Sequence, residues 1–287
     1  MAGVFERDAV AVITGAASGI GRAAATHCAK AGMRIVLVDV NETKLAATRD
    51  ALAEIVGLSH LYCERVDVSD ADAMTALAAK VTSEWESPAL LMNNAAYLVA
   101  GGRGQGGILD PLESWERVMG VNLFGVIHGT QAFLPAMLKA GKRARIVNTG
   151  SKQGLTNPPG NPAYNVSKAA VNSYTQNLAR DLREREGSQV SAHLLVPGWT
   201  TTGDREHKPG AWLPEQVVDE LAGALARDDF WVICPDDETS SEMDKKRLLW
   251  NALDPILDRP ALSRWHPDYK DAFAEFMQQD LPKGWGG

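Results

Sequence analysis

The sequence predicts an α/β protein: a doubly wound parallel sheet of about seven strands with helices on both faces. Three observations predict it. Short runs at Ala9–Ile13, Arg34–Val38, Leu61–Val66, Ala89–Met92, Arg145–Val147, Ser191–Val196 and Phe230–Cys234 are nearly continuous in apolar residues, as strands buried on both faces must be. The stretches between them switch to a helical period. The alternation of the two patterns implies parallel βαβ units.

Each element follows in order. The first run leads into Thr14-Gly15-Ala16-Ala17-Ser18-Gly19-Ile20-Gly21, and a helix follows with Ile20, Ala24, Cys28 and Ala31 on one face and Gly32 past its end. A tight glycine turn at a helix N-terminus lets backbone N–H groups approach a pyrophosphate. The spacing is G-x-x-x-G-x-G rather than G-x-G-x-x-G, and a tight turn with close helix–strand packing would also explain it. Its place in the first βα turn points to a Rossmann-like dinucleotide site built on Gly15, Ser18, Gly19, Ile20 and Gly21. Asp39 closes the second run, where a carboxylate can bind an adenosine ribose diol and repel a 2′-phosphate. It can equally brace the helix that Asn41 begins. Neither position 18 nor position 40 is basic, so NAD is expected rather than NADP, although Arg22 and Arg34 lie close in sequence.

Met74, Leu77, Ala78, Val81 and Trp85 predict a third helix, capped by Ser69 with Asp72 as its partner. Gly101 to Gly107 read as a loop. Residues 112–139 read as one long helix carrying Asn122, an amide with no propensity advantage there. It is either a satisfied structural amide or the holder of a relay water. The fifth run ends in Asn148-Thr149-Gly150-Ser151. Thirteen residues after Ser151, Tyr164 opens a helix, and Lys168 lies on the same face at i+4. A phenol with pKa near 10 is a poor base at neutral pH, and a nearby ammonium lowers that pKa. A surface tyrosine and a solvated lysine would give the same spacing. The placement beyond strand ends, where open parallel sheets bind ligands, favours chemistry.

These residues together resemble the short-chain dehydrogenase/reductase family over about residues 8–236: Thr14–Gly21, Asp67, Asn93-Asn94-Ala95-Ala96, Asn122, Ser151, Tyr164, Lys168 and Pro197-Gly198. Ala96 stands where the family often has glycine. The resemblance implies that Tyr164 is the acid/base and that Lys168 lowers its pKa and holds the nicotinamide ribose. Ser151 would bond the reacting oxygen and Asn122 position a relay water. Asp67 and Val68 would meet adenine, Asn94 and Ala95 the cofactor backbone, and Pro197, Gly198, Thr200 and Thr202 the carboxamide end. It also implies a homodimer or homotetramer through the helices at 112–139 and 164–186.

The reaction expected is hydride transfer between NAD(H) and a secondary alcohol or ketone. The alternatives are an NADP-dependent carbonyl reductase and a non-catalytic NAD sensor on the same fold. Six of the eight tryptophans lie from position 199 onward. Gln153, Trp199 and Trp212 are therefore candidates for the wall of a pocket for a bulky or aromatic substrate, although tryptophans that pack the C-terminal residues would give the same count. Residues 1–236 read as one domain and 237–287 as an extension packed on it with one or two helices.

Composition excludes other classes. The net charge of −7 argues against a nucleic-acid partner. The three cysteines suit a reducing cytoplasm better than a disulfide framework. No apolar leader, membrane span or metal-ligand spacing is read.

Overall fold

Val, Ile and Leu can occupy both faces of a strand only where both faces are covered, and here they are. The computed structural model describes residues 4–98, 107–203 and 205–281. Seven strands, β1 (Val10–Thr14), β2 (Arg34–Asp39), β3 (Leu61–Arg65), β4 (Leu90–Asn93), β5 (Ala144–Thr149), β6 (Val190–Val196) and β7 (Trp231–Ile233), form one parallel sheet in the order β3-β2-β1-β4-β5-β6-β7. Neighbouring side chains along a strand point to opposite faces. Ala11 and Ile13 of β1 accordingly join the core beneath α1 (Gly19–Lys30), while Val10 and Val12 join the core beneath α3 (Ala71–Glu84). The strand order reverses between β1 and β4, and the loops after these two strands open the crevice in which such sheets bind ligands.

The remaining helices complete both layers. They are α2 (Glu42–Val56), α4 (Leu112–Met119), α5 (Gly125–Ala140), α6 (Gln153–Thr156), α7 (Pro162–Glu184) and α8 (Pro214–Arg227). Asn41 caps α2 as expected, accepting from the Lys44 N–H at 3.0 Å. The cap of α3 is Asp70 and not Ser69. The Asp70 carboxylate accepts from the Ala73 N–H at 2.9 Å, while the Ser69 hydroxyl donates backwards to Asp67 Oδ1 at 2.7 Å.

The long helix expected at 112–139 is interrupted by a π turn at Gly120–Phe124 that holds Asn122. Residues 112–140 are long and apolar enough by composition to cross a membrane, but α5 packs on α3 and β4. Strand β5 runs two residues beyond the apolar run because Asn148 and Thr149, although buried, are satisfied. Asn148 accepts from Asn93 Nδ2 at 2.9 Å and donates to Thr175 Oγ1 at 3.1 Å. A polar ladder thus crosses the carboxyl ends of β4 and β5 to α7. Gly101 to Gly106 of the expected loop lie outside the described residues.

Beyond β7 come α9 (Ser241–Ile256) and α10 (Lys270–Gln278), where the sequence predicts one or two helices. Their centre is Trp250. Phe273 and Phe276 meet it edge-on, the Arg259 guanidinium lies 3.9 Å from its ring centroid, and its indole N–H donates to Ser263 Oγ at 2.8 Å. Asn251 Nδ2 donates to the Thr156 carbonyl at 3.1 Å, which ties α9 to α6.

Candidate active site

The first turn of α1 starts without a side-chain cap, since Ser18 is extended and its hydroxyl accepts from no helix N–H. The leading N–H groups of a helix have no partner within it, so this end carries positive potential toward whatever lies before it. What lies before it is a cleft of about 1130 Å³. Gly15, Ser18, Gly19 and Ile20 line it. Gly21 does not, a correction to its expected contact role. A Cβ there would stand 2.1 Å from the Gly15 carbonyl oxygen, so Gly21 is needed for packing α1 onto the turn. Gly15 has φ +67°, and a Cβ on it would come 2.9 Å from Ala95 Cα. The two loops are locked together there. Thr14 Oγ1 accepts from the N–H groups of Asn94 and Ala95 at 2.9 and 3.1 Å, and Asn94 Nδ2 returns to the Thr14 carbonyl at 3.1 Å.

Asp39 lines the cleft beside Asn41. One carboxylate oxygen accepts from the Ala17 N–H at 3.1 Å and the other from the Asn41 N–H at 2.9 Å. The residue therefore braces the glycine turn and the α2 start, and each oxygen keeps a lone pair for a ligand. Arg22 does not line the cleft, and Arg34 is turned away over Trp85. Lys44, unremarked in the sequence, does line it. Asp67, Val68 and Ala95 form the opposite lip. An acidic residue at the ribose end and a bare helix N-terminus at the phosphate end fit a nicotinamide dinucleotide.

Further along the same cleft stand Ser151, Tyr164 and Lys168. Lys168 is 2 % exposed, and its Nζ donates to the Thr149 carbonyl at 2.8 Å. That ammonium lies 5.7 Å from the Tyr164 ring centroid, so the i,i+4 pair does face one way. Burial pulls the Lys168 pKa down from 10.5 to about 8. Ser151 Oγ accepts from the Gln153 N–H at 3.2 Å, which orients the hydroxyl and leaves its proton to donate. Asn122 lies behind this group rather than in the cleft wall. Its side chain accepts from the Tyr97 N–H at 2.7 Å and donates to the Tyr97 carbonyl and to Ser167 Oγ at 3.1 and 3.2 Å. Of the two readings of Asn122, the satisfied structural amide describes its side chain.

Comparison with known proteins matches residues 9–209 to the short chain dehydrogenase family. The chain belongs to that family. It is 34% identical over 226 residues to a probable oxidoreductase, EphD, of Mycobacterium tuberculosis, an alignment spanning 76% of this chain and 36% of that protein. The chain thus covers about a third of the length of that relative. Among solved structures, a short-chain dehydrogenase/reductase from Burkholderia phymatum in complex with NAD superposes with a TM-score of 0.78 at 32% identity, over 89% of this chain and 96% of that one. A metagenomic short-chain oxidoreductase in complex with NADP gives 0.67 at 29% identity, over 80% and 98%.

The expected substrate wall of this short-chain dehydrogenase is only partly present in the cleft. Pro197, Gly198, Trp199, Thr200, Thr202 and Gln153 line the cleft, but Trp212 does not. Trp212 is zipped to the other side of its own loop, with its N–H donating to the Trp199 carbonyl at 2.8 Å. Its indole donates to Asp237 at 3.1 Å, and its ring packs on the core under α1 and α8. It is a packing tryptophan, as Trp250 is.

Asp236 organises this region. One of its carboxylate oxygens accepts from the Trp199 N–H at 2.9 Å and pairs with Lys152 Nζ at 3.2 Å; Lys152 also pairs with Asp244 of α9 at 2.7 Å. Burial opposes the Asp236 charge, but the Trp199 N–H and Lys152 hold its pKa below the usual value. At Asp244 burial prevails over Lys152 and the pKa is raised. The sequence also gave no sign of Tyr97, Arg117, Asn161 and Arg205, which line the same end. They come from a loop, the last turn of α4, the start of α7 and the cap, and no motif spacing joins them.

Proposed function

We propose that this protein is an NAD-dependent oxidoreductase that interconverts a secondary alcohol and its ketone. The observation that carries the proposal is the buried Lys168 ammonium beneath the Tyr164 ring, with Ser151 in the same cleft that begins at the glycine turn. When bound, the dinucleotide supplies the hydride acceptor or donor. The chain's own residues handle the rest. Tyr164 takes the alcohol proton or returns it to the ketone oxygen. The Lys168 charge favours the phenolate. Ser151 donates to the reacting oxygen. Asn122 holds the Tyr97 loop and, through Ser167, the α7 turn that carries Tyr164 and Lys168, and by analogy with the family it would also position a relay water.

Asp39 supports NAD, because a second negative charge beside its carboxylate would be repelled. Lys44 on the same wall, together with the NADP found in one relative, supports the second reading of an NADP-dependent reductase. Binding of the two cofactors measured side by side separates them. The free thiols of Cys28, Cys63 and Cys234 support a reducing compartment. The exposed Phe124 and Val166, on neighbouring helical segments, support a homo-oligomer.

The test is Tyr164→Phe, assayed by NADH absorbance on a panel of secondary and benzylic alcohols. Turnover falls by about 10²–10⁴-fold, the usual share of a positioned acid/base, while NAD binding is kept. Near-normal turnover in this variant overturns the proposal.

A further inference from the structure

Two side-chain amides, those of Asn161 and Gln153, line the cleft near Tyr164 and Ser151, and neither has a side-chain hydrogen bond among the described residues. Asn161 is the N-cap of α7, three residues before Tyr164, yet its side chain caps nothing. It is only 4 % exposed, and its Oδ1 is buried without a hydrogen-bond partner. Asparagine is among the best helix N-caps, so an unused one is unusual. An unpaired buried polar atom costs about 1–3 kcal/mol. Asn161 nevertheless lines the cleft, and its backbone, with φ −156° and ψ 67°, is non-helical ahead of Pro162. Gln153, two residues after Ser151, also lines the cleft; its backbone N–H is taken by Ser151 Oγ, and its side-chain amide has no hydrogen-bond partner among the described residues.

The absence of protein partners leaves each amide free to turn its oxygen or its nitrogen toward a ligand. A hydroxyl, which both donates and accepts, satisfies either end. Positions three apart at a helix start lie roughly 5–6 Å from one another at Cβ. A group bound by Asn161 therefore sits one or two carbons from the carbon that reacts at Tyr164.

We propose that the substrate is a secondary alcohol or ketone bearing a further hydroxyl one or two carbons away, held by Asn161 with Gln153. This rests on the oxidoreductase reading. The second hydroxyl takes no part in the redox change; it orients the substrate. It also gives the site a basis for rejecting plain apolar alcohols, since binding one would bury both amides unpaired.

The test compares kcat/KM for 2,3-butanediol against 2-butanol, and for 3-hydroxy-2-butanone against 2-butanone. Wild-type enzyme favours the hydroxyl-bearing member of each pair by at least about 10-fold, the direction expected of a site built to bond a substrate hydroxyl. Asn161→Leu brings the ratio to within about 3-fold of one, and Asn161→Ser restores part of it. If Asn161→Leu does not fold, Gln153→Leu provides the measurement, and its ratio must also fall. A wild-type ratio near one overturns the inference. So does an Asn161→Leu variant that loses activity on both members equally, because that is the mark of a merely structural role at the start of α7. Turnover of neither member, nor of any alcohol in the wider panel, with NAD still bound, refutes the oxidoreductase reading instead and is a distinct result.

Discussion

The two ends of the cleft are built in different ways. The glycine-turn end is made by backbone. Its N–H groups come from one turn of α1, its shape depends on missing side chains at Gly15 and Gly21, and one of its charged contacts, Asp39, ends the next strand. The substrate end is made by side chains. Trp199, Gln153, Asn161 and Tyr97 arrive from four separate segments, and a buried charge cluster of Lys152, Asp236 and Asp244 holds two of those segments to the C-terminal helices. Backbone recognition needs small residues at fixed local spacing. Side-chain recognition needs only that distant residues converge. The first end suits a ligand shared across a family, and the second suits one that differs between members.

The largest expected effect sharpens this contrast. Gly21→Val places branched carbon where even a Cβ overlaps the Gly15 carbonyl oxygen. Cofactor affinity should fall by about 100-fold or more, on the order of 3 kcal/mol, as read by titration of protein fluorescence. Retained affinity would mean that the turn is less rigid than its contacts imply.

Asp39→Ser removes the charge that would face a 2′-phosphate. The ratio of NAD to NADP affinity should fall by about 10-fold, or ~1.4 kcal/mol, with Lys44 favouring the extra phosphate. An unchanged ratio would remove Asp39 from cofactor choice.

Lys168 links the two ends, and its effect depends on pH. Its pKa falls from 10.5 to about 8 on folding. Between those values the unfolded chain holds a proton that the folded chain has released, so stability rises with pH across the window and the full penalty applies below about pH 8. At about 1.4 kcal/mol per pKa unit that penalty is on the order of 3 kcal/mol. Lys168→Met removes it but leaves the Thr149 carbonyl unpaired, which costs about 1–3 kcal/mol. The variant should therefore be inactive and more stable than wild type by up to about 2 kcal/mol at pH 7, with the gain gone by pH 10.5. Urea unfolding at both pH values measures it. A variant less stable at pH 7 would show that the ammonium is better solvated than its burial suggests.

The smallest effect breaks the comparison at the substrate end alone. Asp244→Asn weakens one arm of the buried charge cluster, leaving Asp236 to hold Lys152. KM for the alcohol should rise by about 3- to 10-fold, roughly 1 kcal/mol, while cofactor affinity stays within about 2-fold. Equal losses at both ends would mean that the C-terminal helices support the whole sheet rather than one wall.

The sequence carried the sheet and the local chemistry. All seven apolar runs became strands within a residue or two, because β-strands covered by helices on both faces leave little room for polar residues. The glycine turn and the Tyr164–Lys168 step were equally legible, since both depend on neighbours within one helical turn. Misjudged features share a cause. Strand β5 was read short because Asn148 and Thr149 look like strand ends until their partners on β4 and α7 are known. Ser69 looked like the cap of α3 until Asp67 claimed its hydroxyl. Trp212 looked like a pocket wall because tryptophan counts say nothing about which way a ring faces.

By itself, then, the sequence determined the parallel sheet, the family and the shared face of Tyr164 and Lys168, all of which are set by short-range periodicity and backbone demands. The tertiary structure alone decided that Lys168 is buried beneath the phenol, that Asp236 joins the cap to α9 through Lys152, and that Asn161 lines the cleft with its amide oxygen unpaired among the described residues. Those depend on which residues far apart in the chain exclude water from one another, a property of packing that no local spacing encodes.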